Sequence, residues 1–204
     1  MKLHLPNTYL KFLFIAVLFS ICTLGWGQTY TQVTTTGTLV NGTYLIVADG
    51  TTNDGIMLNT ITAATPFINY TSVTNPGATI STGTTAANEF VVSVSGSVIT
   101  IYNASVGYVS WGRTGNIGNT ASFFNGTVAS TEQWTVSVAS GLWTLANVGT
   151  AARLLQWNTS SPRFACYTGA QTKLKLYKKM NLLQPLPQQL LHQLQLVMLL
   201  QVEM

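Results

Sequence analysis

Histidine is almost missing from this chain: His4 stands near its start, His192 near its end, and none lies between them. A serine or cysteine nucleophile needs an imidazole to take its proton, and the usual zinc sites need histidine or several cysteines. The central part of the sequence excludes both kinds of chemistry. Cysteine is as scarce, with only Cys22 and Cys166. If the leader is removed, Cys166 is left alone, no intrachain disulfide can form, and stability must come from burial. Charge is thin too, at 7% of residues. Between Gln28 and Lys179 the acids are Asp49, Asp54, Glu89 and Glu132, against Arg113, Arg153, Arg163, Lys173, Lys175, Lys178 and Lys179, a net charge of +3. Four of those bases crowd into Lys173 to Lys179, too local for the basic stripe that nucleic acid requires. They read instead as a solvated edge strand that its charges keep from pairing with neighbours.

Long apolar runs are also lacking. The longest, Phe12 to Leu24, has 13 residues, whereas a membrane-spanning helix needs about 20. With Lys2, His4 and Lys11 before it and Gly25-Trp26-Gly27 after it, that run reads as an export signal cut after Gly27. Ile21 stands where a lipid-modified leader carries a small residue, which argues against attachment at Cys22. Residues 1–27 are therefore expected to be a signal peptide, and the protein to be secreted, with no stable membrane insertion after cleavage. The 152 residues from Gln28 to Lys179 suffice for one core and one domain.

No window of that domain holds a helical stripe. Short apolar runs separated by Gly and Asn predict strands at Tyr44 to Ala48, Ile56 to Leu58, Phe67 to Tyr70, Phe90 to Val94, Val98 to Tyr102, Tyr108 to Trp111, Trp134 to Val138, Leu142 to Ala146, Leu154 to Trp157, Phe164 to Tyr167 and Leu174 to Tyr177. Ser95-Gly96 and Ser140-Gly141 predict tight hairpin turns, because Gly accepts positive φ. The hairpin that begins at Phe90, with Tyr108-Val-Ser-Trp111 after it, recurs at Trp134 with Leu154-Leu-Gln-Trp157, an offset of 44 residues. A fainter copy starts at Tyr44, and Leu174 to Tyr177 resembles the first strand of a further cycle that closes the sheet. Units of this length cannot bury an apolar face alone. Three of them suit an all-β, β-trefoil-like closed barrel, with an irregular barrel or sandwich as the alternative; a propeller needs at least four blades. Phe90, Tyr102, Trp134 and Trp143 belong inside.

Beyond Lys179 the composition changes. Residues 180–204 contain no Gly, Ser or Thr, and 15 of the 25 are Leu or Gln. One reading is an amphipathic helix after Pro187, with Leu190, Leu191, Leu194, Val197 and Leu200 on one side. The other is out-of-frame translation: CAA and TTA codons read two bases later turn Gln-Pro-Leu-Pro-Gln-Gln-Leu-Leu into Thr/Ile-rich sequence like the body of the domain.

Little remains that could carry chemistry. Two carboxylates could act on a glycosidic bond, with Asp54 and Glu132 as candidates. Asp49-Gly-Thr-Thr-Asn-Asp54-Gly55 lacks the alternating ligands and closing Glu of a calcium loop and reads as a turn. No catalytic residue, metal or cofactor is implied. The candidate ligand-binding residues are Tyr108, Trp111, Trp157, Asn158, Arg163 and Tyr167. Trp111 and Trp157 could serve as stacking platforms at one end of a barrel, with Asn158 and Arg163 supplying hydrogen bonds, or all six could be core and rim packing.

The stretch Leu154-Leu-Gln-Trp-Asn-Thr-Ser-Ser-Pro-Arg-Phe-Ala-Cys-Tyr167, followed by Leu174-Lys-Leu-Tyr-Lys178, resembles a family of secreted bacterial all-β modules. Members end in an asparagine turn, Arg-Phe-x-x-Tyr and a Leu-Tyr-Lys strand. Gly42-Thr-Tyr-Leu-Ile-Val47 and Gly107-Tyr-Val109 fit the same pattern, and the resemblance spans most of Val33 to Lys178. It implies an accessory module of extracellular multidomain proteins with no activity of its own, here without an attached catalytic domain. The expectation is a non-catalytic binding or attachment module for an extracellular glycan or surface polymer, without nucleic acid as partner. A structural spacer is the second reading, and a carboxylate-dependent hydrolase the third.

Overall fold

The computed structural model describes residues 28–48, 54–62, 66–74, 76–81, 84–112 and 119–180. The leader, Asp49, Arg113 and the segment 181–204 fall outside them. In chain order the strands are β1 (Tyr30–Val33), β2 (Gly42–Ala48), β3 (Asp54–Ile61), β4 (Ile68–Val73), β5 (Thr79–Ile80), β6 (Phe90–Ser95) and β7 (Val98–Asn103). They continue with β8 (Gly107–Ser110), β9 (Ser122–Phe124), β10 (Gln133–Ala139), β11 (Leu142–Asn147), β12 (Leu154–Asn158), β13 (Arg163–Tyr167) and β14 (Leu174–Lys179). Three single 3-10 turns are the only helical elements among the described residues.

All pairings are antiparallel. Six strands close a ring in the order β2, β6, β7, β10, β11, β14 and back to β2. Three two-stranded hairpins, β3–β4, β8–β9 and β12–β13, extend from it as caps. Each unit thus contributes two ring strands and one cap hairpin, the connectivity expected of a β-trefoil-like closed barrel. Closure pairs the last strand with the first, so β14 lies between β1 and β2 and touches β11. The lysine-rich end is therefore not an edge strand. Its Lys179 ammonium sits 3.0 Å from Glu89.

Period-two alternation fills the barrel. Phe90 and Val92, Trp134 and Val136, and Leu174 and Leu176 point inward from the last strand of each unit. Tyr44 and Ile46, Ile99 and Ile101, and Trp143 and Leu145 do so from the first. Of the three fully buried indoles, Trp157 has no acceptor for Nε1 among the described residues, whereas the other two have their donors satisfied, Trp134 Nε1 giving to the Val109 carbonyl at 3.2 Å and Trp143 Nε1 to that of Val33 at 2.7 Å. Asn103 and Asn147 do the same service in successive units. Each gives its amide hydrogens to a carbonyl where the preceding long strand begins, Glu89 for Asn103 and Thr131 and Gln133 for Asn147, and its oxygen receives a turn N–H, from Ser105 and Thr150. Tyr102, expected inside, is only half-buried: it follows Ile101 by one position and so faces the other way.

The repeat lies one strand away from where the sequence suggested. Gly42–Ala48 matches the second strand of the recurring hairpin, and its first strand is β14, at the other end of the chain. The turns differ in detail too. Ser140-Gly141 has positive φ at both positions, the type I′ pattern, whereas the other reversal is Gly96-Ser97, one residue later than expected, with positive φ at Gly96.

A second, smaller core lies outside the ring. Leu45, Val47 and Tyr177 on the outward side of β2 and β14 pack with Ile56 of β3, with Val73 beside them, under Tyr30 and Ile80 of β1 and β5. Tyr30 is fixed by its hydroxyl, which donates to Glu89 Oε1 at 2.5 Å. Burial, with the hydrogen bond to the carboxylate adding to it, pushes its ionisation up to about 12.

Candidate functional site

The six residues that the sequence singles out divide according to the side of the sheet on which they fall. In the hairpin β12–β13, the pairs Leu155 with Cys166 and Trp157 with Phe164 share one face; Leu154 with Tyr167, Gln156 with Ala165, and Asn158 with Arg163 share the other. The first set belongs to the core. Trp157 is 0% exposed, held edge-on by Tyr70 at 4.8 Å and tilted against Phe164 at 5.0 Å. Gly55 makes room for it, since a Cβ there would lie 2.9 Å from both Trp157 and Tyr70. Trp157 is thus no stacking platform. Neighbouring residues of a strand point to opposite faces, so Trp157 and Asn158 cannot serve one ligand from the same side.

Asn158, Arg163 and Tyr167 do come together, on the outer face. Arg163 and Tyr167 are four residues apart on one strand, a span of about 13 Å, and their long side chains lie toward each other across it. Arg163 Nε donates to the Tyr167 hydroxyl at 3.2 Å, and the guanidinium carbon stands 3.9 Å from the centre of the Phe67 ring. Between them Ala165 is fully buried and Tyr167 is 5% exposed, whereas Arg163 and Asn158 are half-buried. Asn158 Oδ1 receives the Ser161 N–H at 3.0 Å, which shapes the hairpin tip. Opposite Ala165, Gln156 is 5% exposed. Its Nε2 reaches the Gln171 carbonyl at 3.5 Å, while its Oε1 has no hydrogen-bond partner.

Trp111 and Tyr108 lie elsewhere. Trp111 is half-buried against the core, and the Arg153 guanidinium stands 5.3 Å from its ring. Arg153 also donates to Asn119 Oδ1 at 3.1 Å and to the Cys166 carbonyl at 3.4 Å. Tyr108 belongs to a row across four strands, Val91, Tyr102, Tyr108 and Phe124. Its two tyrosine rings are 4.8 Å apart and tilted, and Val91 is 47% exposed. Gln156, Phe67 and Arg153 were missed in the sequence. Alternation alone could have signalled Gln156, which sits two positions before Asn158 on a strand already recognised.

The carboxylates are placed structurally. Glu132 is completely buried and accepts from the Ala129 N–H at 2.9 Å and the Thr131 hydroxyl at 2.7 Å. Asp54 opens β3 in the first unit, Glu132 ends the turn before β10 in the second, and no group of three metal-ligating side chains occurs among the described residues. Cys166 faces the core, and burial raises its thiol ionisation well above the ordinary value.

No family model matches the chain, and no curated protein does. Solved structures resemble it in fold at low identity. A Polyporus squamosus lectin bound to the epitope Neu5Aca2-6Galb1-4GlcNAc aligns over 69% of this chain with a TM-score of 0.52 and 14% identity. A mosquitocidal holotoxin aligns over 70%, with a TM-score of 0.52 and 13% identity. A Culex salivary protein of the Cysteine and Tryptophan-Rich family aligns over 71%, with a TM-score of 0.50 and 13% identity, and is itself covered to 98%. The matched region is 50% of the lectin and 18% of the holotoxin. At these identities the likeness is one of fold.

Proposed function

We propose that this domain is a non-catalytic, extracellular binding or attachment module, and that it holds a glycan or another surface polymer on the outer face of β12–β13. One observation carries the reading: the Arg163 guanidinium lies against Phe67 and is tethered by Tyr167, yet no carboxylate among the described residues pairs with it. A stacked, oriented guanidinium is a preorganised donor for a polar ligand. Half-buried aromatic and amide groups near it suit sugar rings, which offer an apolar face and a rim of hydroxyls. The fold shared with a lectin supports this reading, as does the resemblance to secreted accessory modules.

Immobilised glycans probed with the purified domain test it. Signal is expected from at least one polysaccharide class and should fall about tenfold in Arg163→Ala, the effect of losing a charge-assisted hydrogen bond. Uniform silence across neutral and acidic glycans would sink the proposal. A spacer role is the second reading, favoured because the same fold makes up only 18% of the holotoxin chain; there the domain would bind nothing and connect other parts.

A further inference from the structure

Resting on that reading, we infer that the ligand is anionic, a saccharide bearing carboxylate or sulfate groups, and that Arg163 grips the charged group with its two terminal nitrogens. The argument is a donor count on the outer face of β12–β13. Arg163 spends only Nε within the protein, on the Tyr167 hydroxyl. Its terminal nitrogens have no acceptor among the described residues, and stacking on Phe67 at 3.9 Å fixes the plane in which they lie. Across the strand pair in register stands Asn158. Its oxygen is committed to the Ser161 N–H, and its amide hydrogens meet no acceptor among the described residues. The exposed part of this face therefore offers donors in excess of acceptors, all from cationic or neutral groups.

The protein's own acids do not compete for them. Of those in the described residues, Glu89 binds Lys179 and Tyr30. Glu132 is buried under its own turn, and Asp54 lies at the start of the first cap hairpin. A second guanidinium, that of Arg153, reaches the same strand at the Cys166 carbonyl and likewise has no acidic partner among the described residues. A planar fork with both prongs open matches two oxygens of one carboxylate or sulfate, and a neutral hydroxyl uses only one of them. Neutral sugars would leave half of this arrangement idle.

Affinity electrophoresis of the full chain through gels containing polygalacturonate, dextran sulfate or unmodified dextran tests the inference. Retardation is expected in one or both anionic gels and not in dextran. Polygalacturonate alone would identify a carboxylate ligand, dextran sulfate alone a sulfate ester. Arg163→Lys keeps the charge but loses the fork and the stacking, so affinity should fall about tenfold. Asn158→Asp should abolish retardation, because the new carboxylate lies across from Arg163 and occupies it, while still accepting from Ser161. Unchanged retardation in both variants would mean diffuse attraction to the lysines of β14 and overturn the inference. Equal retardation by dextran would overturn it too, yet leave glycan binding standing. Silence in all three gels, joined to a silent glycan array, would remove both.

Discussion

The first and third cap hairpins are built alike and finished in opposite ways. Both send alternate residues into one shared interior, where Trp157 of the third lies against Tyr70 and Gly55 of the first. Their outer faces differ. In β3–β4 that face carries Ile56 and Val73, and the chain brings β1 and β5 around to cover it, which creates the second core. In β12–β13 it carries Gln156, Asn158, Arg163 and Tyr167, with no strand laid over it among the described residues. An apolar outer face demands a cover because each buried aliphatic side chain contributes about 1.5–3 kcal/mol. A polar one does not: Gln156, Ala165 and Tyr167 are buried on it, and Asn158 and Arg163 keep part of their surface exposed.

The largest effect should come from the interior that the two hairpins share. Trp157→Ala removes a completely buried indole and is expected to cost about 3–5 kcal/mol, seen as a lower urea midpoint. Trp111→Ala, at a half-buried ring, should cost clearly less. Equal losses would mean that the two tryptophans play equivalent parts, as the sequence alone suggested. Next comes the contrast between outer faces. Ile56→Ala should cost about 2–4 kcal/mol, whereas Arg163→Ala, which gives up one stack and one hydrogen bond at a half-exposed site, should cost about 1 kcal/mol or less while binding falls about tenfold. A destabilisation by Arg163→Ala as large as that of Ile56→Ala would make Arg163 a structural residue and erase the difference between the caps.

The cover over the first cap has its own signature in pH. Because Tyr30 ionises at about 12 in the folded protein, against about 10 for a free tyrosine, the folded state holds a proton that the unfolded chain has lost between those values. The stability it contributes is complete below pH 10 and disappears as pH rises toward 12. Tyr30→Phe should therefore flatten the alkaline decline in thermal midpoint. An unchanged slope would show that Tyr30 stays solvated and that the strap formed by β1 is looser than its hydrogen bond to Glu89 indicates.

Much of this architecture was legible from residue order, because alternation and glycine turns are local signals. All eleven strands expected from the sequence are present, each within a few residues of its observed limits. The three that were not foreseen, β1, β5 and β9, are short; β1 and β5 owe their form to partners far away, Lys179 for Tyr30 and Thr79 for Thr31, and β9 is a three-residue strand that pairs with β8. The sequence pointed two ways at β14: its likeness to the first strand of the repeat predicted the closure that occurs, while its lysines suggested an exposed edge, which its place between β1 and β2 overturns. The candidate site was half legible. Asn158, Arg163 and Tyr167 share a face by simple counting, but Phe67 arrives from another unit, and Trp157 takes the core place that was the alternative to a stacking platform, as its neighbour Asn158 could already have indicated.

The smallest predicted effect tests whether the polar outer face is kept for use or for stability. Gln156 is buried with Oε1 unmatched and only a long contact from Nε2; an unmatched buried acceptor costs about 1–3 kcal/mol. Gln156→Leu retains the bulk and removes the mismatch, so the domain should become more stable by up to about 1 kcal/mol, measured as a rise in urea midpoint. That gain would mean that the face carries a polar group at a cost to folding, as a binding surface does and a mere spacer has no reason to. A loss of stability would show instead that the side chain of Gln156 is fully engaged, and the contrast between the two caps would then reduce to which one the extra strands happen to cover.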